Sequence, residues 1–392
     1  YAPDVTVGPD GRYYLYYVLD HVSIVSVAVC DTPAGTYEFY GYVHYEDGTR
    51  LGEKPGDEPQ FDPGVLTEGE DTYLYTGFCA RGDKSRTGAM MTVLGPDMLT
   101  IKKAPQRVAP GCEYSAGTGF EGHEFFEAPS IRKRDNTYYF IYSSIVMHEL
   151  CYAVSDHPTG GFVYGGVIVS NCDLHIDSYK PADMPAAYGA NNHGSMVQIG
   201  EDWYIFYHRH TNNTWYSRQG CAEKLTIRED GSIDIAVDGI GIEQAEITSC
   251  GLNGGPLKGK GEYPAYLACN LFTDVPSVYV GKSNVPRVMQ DGRDGDEEPG
   301  YIANFTESAT AGFKYFLCED IREISIWVRG YGNGFFEVKT SWNGEVLAKL
   351  PVQNTNVWEK YTAPVSIPDG VQAIYLTYRG DGAPSLRSFE LA

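Results

Sequence analysis

Tyr138-Tyr139-Phe140-Ile141-Tyr142 is an unbroken run of aromatic and β-branched residues that follows the turn formers Asp135-Asn136. A short apolar run bounded by turn residues predicts a strand buried on both faces. The same pattern recurs outward along the chain in Tyr13-Tyr14-Leu15-Tyr16-Tyr17, Tyr73-Leu74-Tyr75-Thr76 and Trp203-Tyr204-Ile205-Phe206-Tyr207. Each copy follows its own turn: Pro9-Asp10-Gly11, Glu70-Asp71 and Gly200-Glu201-Asp202. Aligned on Tyr13, Thr72, Tyr138 and Trp203, the copies recur every 59 to 66 residues. Gly, Pro, Asn and Asp interrupt residues 1–235 too often for long amphipathic helices. A repeat of this size, made of strands and turns, predicts propeller blades. The competing expectation is a sandwich with coincidental hairpins.

One ionisable or polar residue stands at the same place ahead of each aromatic strand: Asp4, Asp62, Glu127 and His193, 9 to 11 residues upstream. Any one of them alone reads as a turn residue. Four in register predict convergence at the propeller axis, because the first strand of every blade lines the central channel. Crowded carboxylates cannot all ionise cheaply, so one becomes a proton donor beside an ionised partner. Glycosidic-bond hydrolysis requires that pairing. Glu127 is the expected acid, because Phe125 and Phe126 precede it and apolar neighbours favour the neutral carboxyl. Phe126 and other aromatics would stack on sugar, and Arg218 would contact its hydroxyls. His193 would hydrogen-bond or hold a metal ion directly or through water, although a lone His more often has a structural role.

Composition narrows the classes further. The 392 residues carry 52 Asp and Glu against 30 Lys and Arg, a net charge of −22. A phosphate-backbone binder or an anionic-membrane binder needs the opposite balance. There is no apolar stretch of the length that spans a bilayer. GxSxG, GxGxxG and Walker sequences are lacking, so neither a serine nucleophile of that type nor a nucleotide cofactor is implied. The nine Cys form no CxxC pair, which argues against a zinc ribbon. They are expected as buried reduced thiols, which points to a reducing, cytoplasmic compartment.

The ordered set Ala2-Pro3-Asp4-Val5, Glu127-Ala128-Pro129-Ser130 and Asn192-His193-Gly194-Ser195 resembles glycoside hydrolase family 43. Trp203 to His210, followed by Tyr216-Ser217-Arg218-Gln219, is similar to its arabinofuranosidase and β-xylosidase branch. The resemblance covers about residues 1–260. It implies a five-bladed propeller and hydrolysis of α-L-arabinofuranosides or β-xylosides with inversion. It also implies Glu127 as general acid, Asp4 as the carboxylate that tunes and orients it, Arg218 as a substrate contact, and His193 near the axis, often beside calcium. For Asp62 a structural place at the head of its blade is expected. Four blades are counted, and the segment matching the family's base-bearing blade is not among them. The base is therefore expected upstream of Tyr1, and another polypeptide segment is expected to complete the propeller.

Residues 236–263 are Gly-rich and read as a connection. From 264 to 392 short alternating strands and the Asn343-Gly344 turn predict a β-sandwich. It resembles a family 6 carbohydrate-binding module. Trp342, Trp358 and Tyr331 are candidates for sugar stacking, whereas Trp327 reads as core. The acidic run from Asp291 to Glu298 reads as a solvated loop, with calcium binding the lesser reading. A non-catalytic sugar-binding protein and a propeller scaffold for protein partners are the alternative functions.

Overall fold

The computed structural model describes residues 1–237, 241–252, 255–276, 279–281, 284–293 and 299–392. Residues 294–298 of the acidic run lie outside the described residues. The chain divides into two compact units. The first comprises residues 1–168, 191–205 and 225–235, and the second comprises 169–190, 206–224 and 236–392. Among the described residues, helix is confined to the 3-10 turns Cys112–Tyr114 and Ala265–Leu267. No described helix is long and apolar enough to cross a membrane.

The repeats read from the sequence form successive antiparallel meanders. Asp4–Val7 (β1), Tyr13–Val18 (β2), Val25–Cys30 (β3) and Glu38–Tyr42 (β4) pair in sequence order. So do Gly64–Glu68 (β5), Asp71–Thr76 (β6), Gly88–Leu94 (β7) and Ile101–Pro110 (β8). The third sheet holds Phe125–Arg134 (β9), Thr137–Ser144 (β10), Glu149–Ser155 (β11) and Val163–Ser170 (β12). A three-stranded sheet follows, made of Gly194–Ile199 (β13), Asp202–His210 (β14) and Arg218–Leu225 (β15). The second strand of each sheet is the aromatic run. In β2, Tyr14, Tyr16 and Val18 alternate into the core, as the twofold strand period requires. In β10, Tyr138 to Ser144 are buried on both faces.

Tyr14, Tyr16 and Val27 of the first sheet pack with Val65, Leu74 and Leu94 of the second. Tyr75 of the second meets Phe140 of the third at 5.7 Å. The first strands are neighbours in the order β1, β5, β9, β13. Thr67 N–H donates to Thr6 Oγ1 at 3.2 Å, and Ser130 Oγ donates to Ser195 Oγ at 2.8 Å. Val5 and Val7 on β1 and Val197 and Ile199 on β13 remain exposed.

The second unit contains a β-sandwich. One sheet runs through Leu257–Lys258, Thr310–Cys318, Gly370–Gly382, Gly332–Lys339 and Ala348–Val352. The other runs through Arg287–Met289, Tyr301–Ala303, Ser385–Leu391, Ile321–Gly330 and Thr355–Ile367. Phe313, Ile326, Phe336, Leu376 and Phe389 fill the space between them. The turn expected at Asn343-Gly344 spans Ser341 to Gly344, with Gly344 N–H bonded to Ser341 O, so Trp342 and Asn343 occupy its central positions. Among the described residues no disulfide links the nine cysteines. Cys79, Cys151, Cys172, Cys221, Cys269 and Cys318 are buried.

Candidate active site

Glu127 is the third residue of β9. Its neighbours in sequence make it a special position. Ser143 of β10 lies opposite Glu127, and Ile141 lies opposite Ser130, so the register shifts between them. Ala128 within this irregular stretch adopts φ +59°. A left-handed residue with a Cβ costs on the order of 1–2 kcal/mol, and such strain concentrates at functional positions. The distortion is held from outside the strand: Ala128 N–H donates to Asp62 Oδ2 at 3.2 Å. Asp62 is itself buried and left-handed, at φ +45°. Gly64 permits the approach, because a Cβ there would collide with the Pro129 carbonyl.

Glu127 is 6% exposed, and its carboxyl Oε1 accepts Asn191 Nδ2 at 2.9 Å. The next residue, Asn192, is buried and donates to His148 O at 3.2 Å. His193 is half-buried. Thus the segment ahead of β13 brings the Asn191 amide to Glu127. Asn191 was legible only as a neighbour of His193, since an amide carries no titration signature in sequence.

Asp4 has other partners. Its two oxygens lie 2.8 and 3.1 Å from the Arg132 guanidinium, and they also accept Val5 N–H and Val65 N–H, each at 2.9 Å. Phe126 is buried and packs against Phe78 at 5.0 Å, which meets Phe61 at 5.4 Å. Arg218 is in the second unit at the head of β15, where it is exposed and donates from Nε to Trp215 O at 3.2 Å.

Other polar clusters had no signal in the sequence. His123, Glu149 and Cys151 are the one group of three metal-ligand side chains within reach of each other among the described residues. Glu149 Oε2 lies 2.9 Å from His123 Nδ1 and accepts Ser144 Oγ at 2.8 Å. Burial pushes the Glu149 carboxyl up, but these bonds outweigh it and hold the carboxyl below its ordinary value. In the second unit, Asp173 accepts Ser249 N–H and Tyr179 Oη, the latter at 2.6 Å. Nearby, burial pushes Glu223 up to about 7, while its bond from Cys250 N–H opposes the shift.

Among the sandwich aromatics, Trp342 stacks on Phe272 with ring centres 3.6 Å apart. Trp358 lies between Arg329 and Arg387, at 4.3 and 5.6 Å from its ring centre. Arg329 forms a forked ion pair with Asp291, so the first residue of the acidic run is paired. Tyr331 is exposed, and Trp327 carries Lys360 over its ring.

Successive antiparallel meanders with a buried carboxyl near the head of a first strand define an all-β protein with a candidate acid. The sequence profile described as Glycosyl hydrolases family 43 matches residues 1–233. A xylosidase/arabinosidase of Thermoclostridium stercorarium is 68% identical over 397 aligned positions, covering 100% of this chain and 82% of that protein. A β-xylosidase of Xylanibacter ruminicola is 27% identical, covering 58% of this chain and 71% of that protein. An arabinoxylan arabinofuranohydrolase from Bacillus subtilis, solved with cellotetraose, shares the fold at a TM-score of 0.50 and 20% identity, covering 100% of this chain and 79% of that one. The chain belongs to glycosyl hydrolase family 43 and is a glycoside hydrolase.

Proposed function

We propose that the protein releases terminal α-L-arabinofuranosyl or β-D-xylosyl residues from hemicellulose oligosaccharides with inversion, with Glu127 as general acid. The observation that carries this reading is the buried Glu127 carboxyl on a strained strand, bonded by Asn191 and braced through Ala128 by Asp62. The name of the Thermoclostridium relative supports the sugar class. In this reading the acid protonates the leaving glycosidic oxygen while a second carboxylate activates water on the opposite face. Arg218 and His193 contact the sugar, and Phe126 acts by packing behind the acid.

The tuning role passes from Asp4 to Asp62. Asp4 spends its acceptor capacity on Arg132, Val5 and Val65, whereas Asp62 is bonded one peptide from the acid. Residues 1–260 form the catalytic domain and 264–392 the sugar-binding sandwich in this reading. The general base belongs to a further antiparallel sheet that covers the exposed valines of β1 and the Val197–Ile199 edge of β13. Calcium is the ion we assign to the neighbourhood of His193. The buried Asn192 Oδ1 has no hydrogen-bond partner among the described residues and is the hard donor this ion takes. An imidazole is better suited to reach it through water.

The test is hydrolysis of aryl arabinofuranoside and aryl xyloside by the complete enzyme. Glu127→Gln is expected to lose at least a thousandfold in kcat while retaining oligosaccharide binding. Undiminished turnover would overturn the assignment.

A further inference from the structure

The second unit carries an aromatic platform beside a polar cavity of whose lining the catalytic reading uses only Arg218. The loop 211–217 joins β14 to β15 and closes on itself through Thr211 N–H to Ser217 O at 3.1 Å. It presents Tyr216 at 86% and Trp215 at 43% exposure. An aromatic ring this open gains nothing from folding, and adjacent exposed rings mark a binding surface. The loop is not loose: Val288 N–H donates to Thr211 O at 2.7 Å, and Asn212 Nδ2 donates to Val288 O at 3.0 Å. These bonds clamp it to the sandwich strand Arg287–Met289.

Beside the loop lies a cavity of about 560 Å³. Asn212, Arg218, Gln219 and Gln290 line it together with Tyr266. Gln219 Nε2 donates to Tyr266 O at 3.1 Å, which fixes one wall. Amides and a guanidinium next to flat aromatic faces match one ligand chemistry closely. A neutral pyranose offers apolar C–H faces for stacking and a rim of hydroxyls for hydrogen bonds. An anionic ligand would find one exposed cation and a chain of net charge −22.

We propose that the 211–217 loop and this cavity form a subsite for the backbone of a neutral β-linked oligosaccharide, with Trp215 and Tyr216 as stacking platform and Gln290 as a hydroxyl partner. The inference rests on the glycosidase reading and extends it: the second unit, with side chains of its sandwich, binds the oligosaccharide chain and prefers it to a single sugar.

The experiment is calorimetric titration of the full chain with xylohexaose and with xylose, repeated for Tyr216→Ala, Gln290→Ala and, as a control at an exposed sandwich position away from the cavity, Val371→Ala. Xylohexaose affinity is expected to fall about tenfold for Tyr216→Ala and severalfold for Gln290→Ala, with Val371→Ala as wild type. Circular dichroism confirms that each variant is folded. Wild-type affinity in both Tyr216→Ala and Gln290→Ala would overturn the proposal, as would wild-type chain that fails to bind xylohexaose. Self-association abolished by Tyr216→Ala with sugar binding unchanged would overturn it in favour of a protein interface. The Glu127→Gln assay on aryl glycosides stays independent, so loss of the subsite and loss of the glycosidase reading are distinguishable.

Discussion

Asp62 and Ala128 make a linked pair of left-handed residues, and the hydrogen bond between them is the physical reason each keeps its conformation. Asp tolerates positive φ better than most residues, and Asn tolerates it equally. Asp62→Asn therefore preserves the backbone while removing a charge one peptide from Glu127. A nearby negative charge favours a protonated acid, so in the complete enzyme this substitution is expected to lower kcat at least tenfold. It should also move the basic limb of the kcat–pH profile towards lower pH. Asp4→Asn should act on stability instead, because it breaks the paired contact with Arg132. A thermal midpoint that falls while the pH profile stands still is the expected signature, and a shifted profile would return the tuning role to Asp4. Glu127 was legible in sequence from its apolar neighbours and its register. The preference proposed for Asp62 over Asp4 was not, because they precede their strands at nearly equal offsets, 9 and 10 residues. Only the Arg132 contact, 128 residues away in sequence, separates them.

At the level of elements, the aromatic second strands were the most readable feature. Their period, turn residues and β-branched content agree with one another, which is the condition for a local reading to survive folding. The irregularity in β9 was not readable, since its cause is a bond from the loop before β5. Gly64 shows the same limit: in sequence it is one of 45 glycines, yet it lets β5 pass the Pro129 carbonyl. Gly64→Ala must displace backbone on β9 and is expected to cost about 1–3 kcal/mol. Urea unfolding measures the loss, and a neutral result would mean that the two strands separate without penalty. In the sandwich, the Asn343-Gly344 pair announced a turn but misplaced its centre. Ser341 supplies the carbonyl that closes it, and Trp342 is thereby set against Phe272.

Across the whole molecule, the second unit carries an electrostatic liability at Glu223. A carboxyl whose folded value is raised favours folding in its protonated form. For Glu223 the penalty is absent below its ordinary 4.5 and grows as pH rises towards about 7. For this half-buried group the cost is about 2 kcal/mol at pH 8. Scanning calorimetry should show the second unit melting higher at pH 5 than at pH 8, and Glu223→Gln should flatten that slope. An unchanged slope would show that the carboxyl titrates normally. The all-β architecture and the sandwich were legible from alternation and turns, whereas Glu223 was not, because its burial depends on Tyr207 and Ser249 packing from distant parts of the chain. The thiols add a last consequence. They are spread over both units, and most are sealed by packing, with burial pushing Cys79 up to about 12 and Cys172 and Cys221 up to about 11. Alkylation of a sealed thiol requires the surrounding structure to open and the proton to leave. The molecule therefore carries its own chemical clocks: under native conditions half-buried Cys30 should label first, and the delays at Cys79, Cys151, Cys269 and Cys318 would time the opening of each sheet in turn.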